Sequence, residues 1–221
     1  MDECRFAQEA ALRLWSRRLR ACLQEAARRA VSRSAGTVFT GMTPPAAIRD
    51  GRIEDAQVLA GFARRMFDEA FGALNDPGQL AKHLAKSFGR EHQARELADA
   101  GWTTLLAEHD GQLLAYAQLR AAPAPACVHG AESVELVRFY VDGAWQGQGL
   151  AHVLMDHMLA AAAARGAQTV WLSVWQVNAR AVAFYRRRGF QIIGVQTFHV
   201  GDDPQTDWVM ARPIGEHRAP A

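Results

Sequence analysis

Cysteine is scarce: Cys4, Cys22 and Cys127 are odd in number and widely spaced along 221 residues. That pattern suits neither a disulfide framework nor a zinc site with paired ligands, and it makes a reducing cytoplasm the expected compartment. No run approaches the roughly 18 uninterrupted apolar residues of a membrane span, and the N-terminus lacks the apolar core of a secretory signal. Net charge is nearly absent, at +2 overall, so the chain as a whole is no electrostatic partner for nucleic acid. What is present is an ordinary globular composition, 49% apolar, enough to bury one good-sized core. No nucleic acid and no membrane are expected as partners, and a homodimer stays open.

Periodicity divides the chain near residue 42. Phe6, Leu12, Trp15, Leu19, Leu23, Ala26 and Ala30 recur at helical spacing beside an arginine-rich face. Residues 1–41 are therefore expected to form a helical extension, either appended loosely to the domain or lying upstream of a start at Met42. The breaker Thr43-Pro44-Pro45 follows. Asp2, Glu3, Glu9 and Glu25 sit badly with an organellar presequence, which is usually poor in acids.

Residues 42–221 read as a single α/β domain. A short apolar piece at Ile48 precedes a helix over residues 54–71, carried by Val58, Leu59, Phe62, Met66 and Phe67. A second helix starts where Asp76 can cap and Pro77 suits the first turn, and runs to about Ser87. A weaker third covers residues 91–98. Two strands, 103–108 and 112–120, flank Asp110-Gly111, a strong hairpin signal. Pro123 and Pro125 mark a surface loop. Then come a strand (134–141), a helix (149–165), a strand (169–174) and a helix (179–188). Two last strands, 191–198 and 206–210, flank an acidic loop at residues 201–204. A mixed sheet results.

The run Gln146-Gly147-Gln148-Gly149-Leu150-Ala151 joins a strand to a helix, where unpaired N–H groups and the positive end of the helix dipole favour an anion. A dinucleotide fingerprint would need glycine in place of His152, and no Walker lysine follows. Taken alone, such a turn is as readily structural as ligand-binding. Its spacing, Gln146-x-x-Gly149-x-Ala151, together with Asn178-Ala179 and the stretch Ala183-Phe184-Tyr185-Arg186-Arg187-Arg188-Gly189-Phe190, resembles the two signatures of the GNAT superfamily of N-acetyltransferases. The likeness spans about residues 46–213.

That resemblance implies a mixed, mostly antiparallel central sheet of six to seven strands flanked by helices, with acetyl-CoA as co-substrate and no metal. It implies donor contacts from Phe139, Tyr140 and Val141, from Gln146, Gly147, Gln148, Gly149, Leu150 and Ala151, and from Asn178, Tyr185 and Arg187. Residues 170–175, 178–190 and 198–207 are similar, more narrowly, to PaiA-type spermidine/spermine acetyltransferases, which makes a polyamine-like small primary amine the first-choice acceptor. Gln176 and Val137 stand where that group usually has carboxylates. Protein N-terminal and antibiotic amine acetyltransferases are rival readings, as is a non-catalytic acetyl-CoA sensor.

An attacking amine of pKa about 10.4 is neutral in only about one molecule in a thousand near pH 7, a handicap of roughly 4 kcal/mol. A carboxylate that takes its proton reduces that handicap, and Glu135 is the candidate base. The alternative is that Glu135 faces the other side of the sheet and pairs with Arg138 or a neighbour. Tyr185 is the candidate acid for the leaving thiolate, against the alternative of a buried core phenol. Aromatic walls with acids suit a cationic amine, so Phe67, Phe71, Trp175, Asp202 and Asp207 are the acceptor candidates, with Asp68, Trp102 and Asp203 in the wider set. His199 reads as structural.

Overall fold

The computed structural model describes residues 46–129 and 132–214. The extension expected over residues 1–41 lies outside the described residues. Seven strands form one sheet in the order β1-β2-β3-β4-β5-β7-β6. They are β1 (Ala47–Asp50), β2 (Trp102–His109), β3 (Gln112–Arg120), β4 (Ser133–Val141), β5 (Thr169–Trp175), β6 (Gln191–Val200) and β7 (Asp203–Pro213). The helices are α1 (Ala56–Phe71), α2 (Pro77–Ser87), α3 (Arg90–Ala98), α4 (Leu150–Ala164) and α5 (Ala179–Arg187). Every strand pairing is antiparallel except β4 with β5.

Local chemistry accounts for most boundaries. Asp76 caps α2 by accepting from the N–H groups of Gly78 and Gln79, at 2.9 and 3.0 Å, with Pro77 in the first turn. Asp110 and Gly111 close the β2–β3 hairpin with positive φ at both. Two cores then form on opposite faces of the sheet. On one, Leu150, Leu154, Met155 and Met158 of α4 press on Ala107, Ala115, Ala117, Leu119 and Leu136. The alanines let the helix approach closely, and each large side chain buried there stabilises the fold by about 1.5–3 kcal/mol. On the other face, Leu59, Phe62, Met66, Phe67 and Leu84 of α1 and α2 cover Leu106 and Tyr116.

Two irregularities open the sheet. β4 pairs with β5 only through Ser133, Val134 and Glu135, opposite Thr169, Val170 and Trp171. Beyond that point β4 runs on to Val141 while β5 stays with β7, so residues 136–141 have no strand partner on the β5 side among the described residues. Just past the last paired residue, the β3–β4 register slips between Leu136 and Arg138, leaving Val137 as an extra residue. Such a bulge bends the strand and increases its twist.

The short apolar piece at Ile48 is strand β1, on the edge of the sheet, as the family resemblance implies. Three expectations need correction. Val58 is 60% exposed, because the buried stripe of α1 is filled by Leu59, Phe62, Ala63 and Met66. The loop carrying Pro123 and Pro125 is less superficial than its composition suggests: Ala124, Cys127 and Val128 cover Trp171 and Val209. The acidic loop shrinks to a turn of Gly201 and Asp202, with Asp203 and Pro204 inside β7. Proline is tolerated there because β5 pairs with β7 only as far as Asp207.

Candidate active site

The glycine turn gathers on the free edge of β4. Gly147 and Gly149 take φ of +80° and +88°, and a Cβ at either would meet open space. Glycine is needed there for the left-handed backbone. Gly149 then starts α4 with no side-chain cap, so first-turn N–H groups remain for an anion. Gln146 ties the turn to the strand by donating to the Val141 carbonyl at 2.8 Å, and Gln148 donates to the Ala144 carbonyl at 2.7 Å. Leu150 is buried and Ala151 packs beside it, which fixes the helix start.

Asn178 is the N-cap of α5, its carbonyl accepting from the Ala181 N–H at 3.1 Å, so its amide NH₂ is the part left for other contacts. Tyr185 is buried on the same helix. Its ring stands edge-on to Phe139 at 6.5 Å and to Phe190 at 5.7 Å, which brings the phenol to the unpaired part of β4. Burial, reinforced by the neighbouring Tyr140, pushes its pKa well above that of an ordinary phenol and keeps it protonated. Tyr140 itself points to the opposite face, stacked on Tyr116 at 5.6 Å. Arg187 is exposed at the far end of α5. The arginine that reaches the turn is Arg180, whose guanidinium donates to the Gln146 side chain.

Glu135 occupies the last paired position of the β4–β5 ladder, buried, with its carboxylate held by the Nε and Nη2 of Arg120. Of the two sequence alternatives, the ion pair is what is observed, with Arg120 as the partner. A guanidinium on a carboxylate opposes its use as a base. Arg138 is engaged elsewhere, donating at 2.5 Å to Glu96 and at 2.7 Å to Gln118.

The acceptor candidates lie on the face covered by α1 and α2. Phe67 and Phe71 are 4.7 Å apart, and Phe71 meets Trp175 edge-on at 6.1 Å. Phe67 is the buried end of this row and Trp175 its half-exposed end. The β6–β7 turn docks on α2: the Asp202 N–H donates to Gln79 at 2.8 Å, and a Cβ on Gly201 would lie 2.7 Å from the Gln79 carbonyl. Asp202 is mostly exposed, and Lys82, at 2.6 Å, lowers its pKa and occupies its charge. Asp203 accepts from Gln205 at 3.2 Å, Asp68 is exposed on α1, and His199 is exposed opposite Pro204. Trp102 stands apart, three strands from β5, with Arg120 and Arg138 over its ring. Asp207 is different from the other acids: it is 6% exposed, its Oδ1 has no partner, and burial raises its pKa to about 6.

Sequence reasoning missed Arg180 and His83. Arg180 carried a signal, a cation two residues beyond Asn178 on the next helix start. His83 stacks on Phe67 at 4.6 Å and meets Phe198 at 5.5 Å, with burial and then Arg138 lowering its pKa. Its position between Leu80 and Leu84 on α2 was the available clue.

Comparison with known proteins agrees with this geometry. Residues 62–190 match the Acetyltransferase (GNAT) family. An uncharacterized N-acetyltransferase of Mycobacterium tuberculosis is 36% identical over 161 residues, covering 72% of this chain and 98% of that protein. The fold resembles that of a PaiA N-acetyltransferase from Thermoplasma acidophilum solved with coenzyme A, at a TM-score of 0.63 and 18% identity, over 78% of this chain and 99% of the other. An acetyltransferase of Salmonella typhimurium solved with acetyl-CoA gives a TM-score of 0.55 at 20% identity, over 80% and 99% of the two chains. With a free edge on β4, a glycine turn at the start of α4 and a family match across 62–190, the chain belongs to the GNAT family and is an N-acetyltransferase.

Proposed function

We propose that this enzyme transfers the acetyl group of acetyl-CoA directly to a small primary amine, with a polyamine-like compound as first-choice acceptor, and that residues 42–221 are its acetyltransferase domain. One observation carries the reading: the unpaired edge at residues 136–141 lies between the glycine turn at one end and Tyr185 at its side. An extended, amide-rich arm can add to such an edge as a strand does, with a diphosphate at the start of α4. The coenzyme A and acetyl-CoA bound by the Thermoplasma and Salmonella proteins support this donor.

Acetyl-CoA supplies the activated acetyl thioester. The backbone of residues 139–141 holds the arm, Asn178 offers its NH₂ to an amide of it, and Gln146 and Arg180 brace the turn beneath the phosphates. Unpaired N–H groups on the β4 edge polarise the acetyl carbonyl. As charge develops on sulfur and the C–S bond breaks, the protonated Tyr185 hydroxyl donates to it, and the proton that the attacking amine gives up when it becomes an amide restores the phenol. The aromatic row from Phe67 to Trp175 walls the acceptor side, and partial desolvation of the reacting nitrogen at the β4 edge favours its neutral amine form.

The test is release of free thiol from acetyl-CoA across an amine panel. Polyamines should give the fastest amine-dependent release. Faster turnover of peptide N-termini, with polyamines inert, would overturn the polyamine-like acceptor.

A further inference from the structure

Three carboxylates are buried among the described residues, and two of them are fully engaged. Glu96 accepts from Arg138 and Gln118 and faces His92 at 2.9 Å, while Glu135 is held by Arg120. Asp207 has no such partner, and its Oδ1 is buried without a hydrogen bond. It sits on β7 directly opposite Trp175 on β5 and Gln196 on β6. Directly opposed side chains on a sheet have Cβ atoms about 4.5–5.5 Å apart. Yet the Gln196 amide passes Asp207 by and donates to Ser173. An unpaired buried carboxylate is costly, and a fold tolerates it where something from outside completes it.

The structure assigns Asp207 as the anchor for a second cationic group of the acceptor, an alkylammonium lying beside the Trp175 and Phe71 rings while the acceptor's other amine reaches the β4 edge. This rests on the small-amine acetyltransferase reading above. The chemistry of the surroundings selects a cation: one acid, an indole face and a phenyl ring favour a charged ammonium and reject an anionic acceptor. Position selects the distal group. β7 lies two strands beyond β4, roughly 10 Å across the sheet, so Asp207 is too far from the β4 edge to touch the attacking nitrogen and is reached along an alkyl chain. The acceptor is then a diamine or longer polyamine.

Trp175 and Gln196 are neutral. The titratable groups on the elements over this end of the sheet are Arg64, Arg65, Asp68 and Glu69 on α1, Lys82, His83 and Lys86 on α2, His199 on β6, and Asp202 and Asp203 at the β6–β7 turn, and among the described residues burial is the one cause that shifts Asp207.

The experiment compares kcat/KM for alkyl diamines and for amino alcohols of matched length, in the full-length protein and in Asp207→Asn. The unaltered enzyme should prefer the diamine by about tenfold or more, as expected for a charged hydrogen bond. In the variant that ratio should collapse through KM, with acetyl-CoA affinity unchanged. A preference that survives in Asp207→Asn overturns the anchor. So does turnover with no diamine preference in the unaltered enzyme, which leaves the acetyltransferase reading standing. Inert behaviour with every amine overturns that reading and the anchor together. A second measurement needs no variant: the rise in Tm produced by a diamine should fade as pH drops through about 6 and Asp207 takes up a proton. Stabilisation that persists at pH 5 sinks the anchor.

Discussion

The donor side and the acceptor side of this sheet are built from different materials. On the proposed donor side the groups open to a ligand are mostly backbone: the unpaired edge of β4, two left-handed glycines and the first N–H groups of α4. Most side chains around them are already engaged, with Gln146 on Val141 and Arg180 and Glu135 on Arg120, while Asn178 uses only its carbonyl, on Ala181, and keeps its NH₂. On the acceptor side the groups are side chains, and one of them, Asp207, is left unsatisfied. A backbone site can be carried unchanged by many sequences and serves the ligand common to a family. A side-chain site changes with each substitution and sets which amine is accepted.

If the donor side depends on a rigid β4, damage to the network that braces this strand should produce the largest effect. Arg138, next to the Val137 bulge, ties β4 to α3 through Glu96 and to β3 through Gln118. Arg138→Met takes the guanidinium from the buried Glu96 carboxylate and leaves it Gln118 and His92, and urea denaturation should show a loss of about 3 kcal/mol. Pairing it with Glu96→Gln should restore part of that. Full stability in the single variant would mean that β4 is braced by apolar packing alone.

Tyr185 tests whether the donor side contains chemistry as well as binding. Tyr185→Phe keeps the ring that packs on Phe139 and removes only the hydroxyl. Thiol release should fall about a hundredfold in kcat, while acetyl-CoA affinity measured by calorimetry stays within about threefold. An unchanged rate would reduce Tyr185 to a core phenol.

The same division explains what could be read before any coordinates. Glycine spacing, the Asp76 cap and the Asp110-Gly111 turn are local signals, and the elements and the glycine turn they mark are where they were expected. Val58 and Glu135 escaped because their surroundings depend on other segments: the direction in which α1 faces the sheet, and the register that sets Arg120 opposite Glu135. The special state of Asp207 was likewise invisible, since its isolation arises from Gln196 reaching Ser173 across β7. Arg180 and Arg187 look equivalent in sequence, and only the end of α5 that meets Gln146 separates them.

Stability can measure how unsatisfied the acceptor side is. Asp207 has a folded-state pKa near 6 against an ordinary 3.8, so the folded protein binds more protons than the unfolded chain between those values. Stability therefore falls as pH rises from about 4 to about 6, by up to about 3 kcal/mol from this residue. Asp207→Asn should remove that slope, matching the unaltered protein near pH 4 and exceeding it above pH 7. Chemical denaturation across pH reads this directly, and parallel curves would show that an unseen partner already neutralises the acid.

On the donor side, Arg180→Ala should weaken acetyl-CoA binding by about tenfold at low salt, since a charged hydrogen bond at the turn is lost, and by less at high salt. Arg187→Ala, at the exposed far end of the helix, should change affinity less. A reversed order would place the phosphates near the C-terminal end of α5.

The smallest effect is expected at the tip of the β6–β7 turn. Asp202 and Asp207 are both acids on the acceptor side, yet they differ in every property that governs binding. Asp202 is exposed and already faces Lys82, whose charge holds its pKa below the usual range, whereas Asp207 is buried and faces none. An exposed pair screened by solvent contributes little to recognising a third charge. Asp202→Asn should therefore shift the KM for a diamine by less than about twofold, against tenfold or more for Asp207→Asn. Equal effects at the two positions would move the second ammonium to the rim and return Asp207 to the interior of the sheet as an unexplained acid.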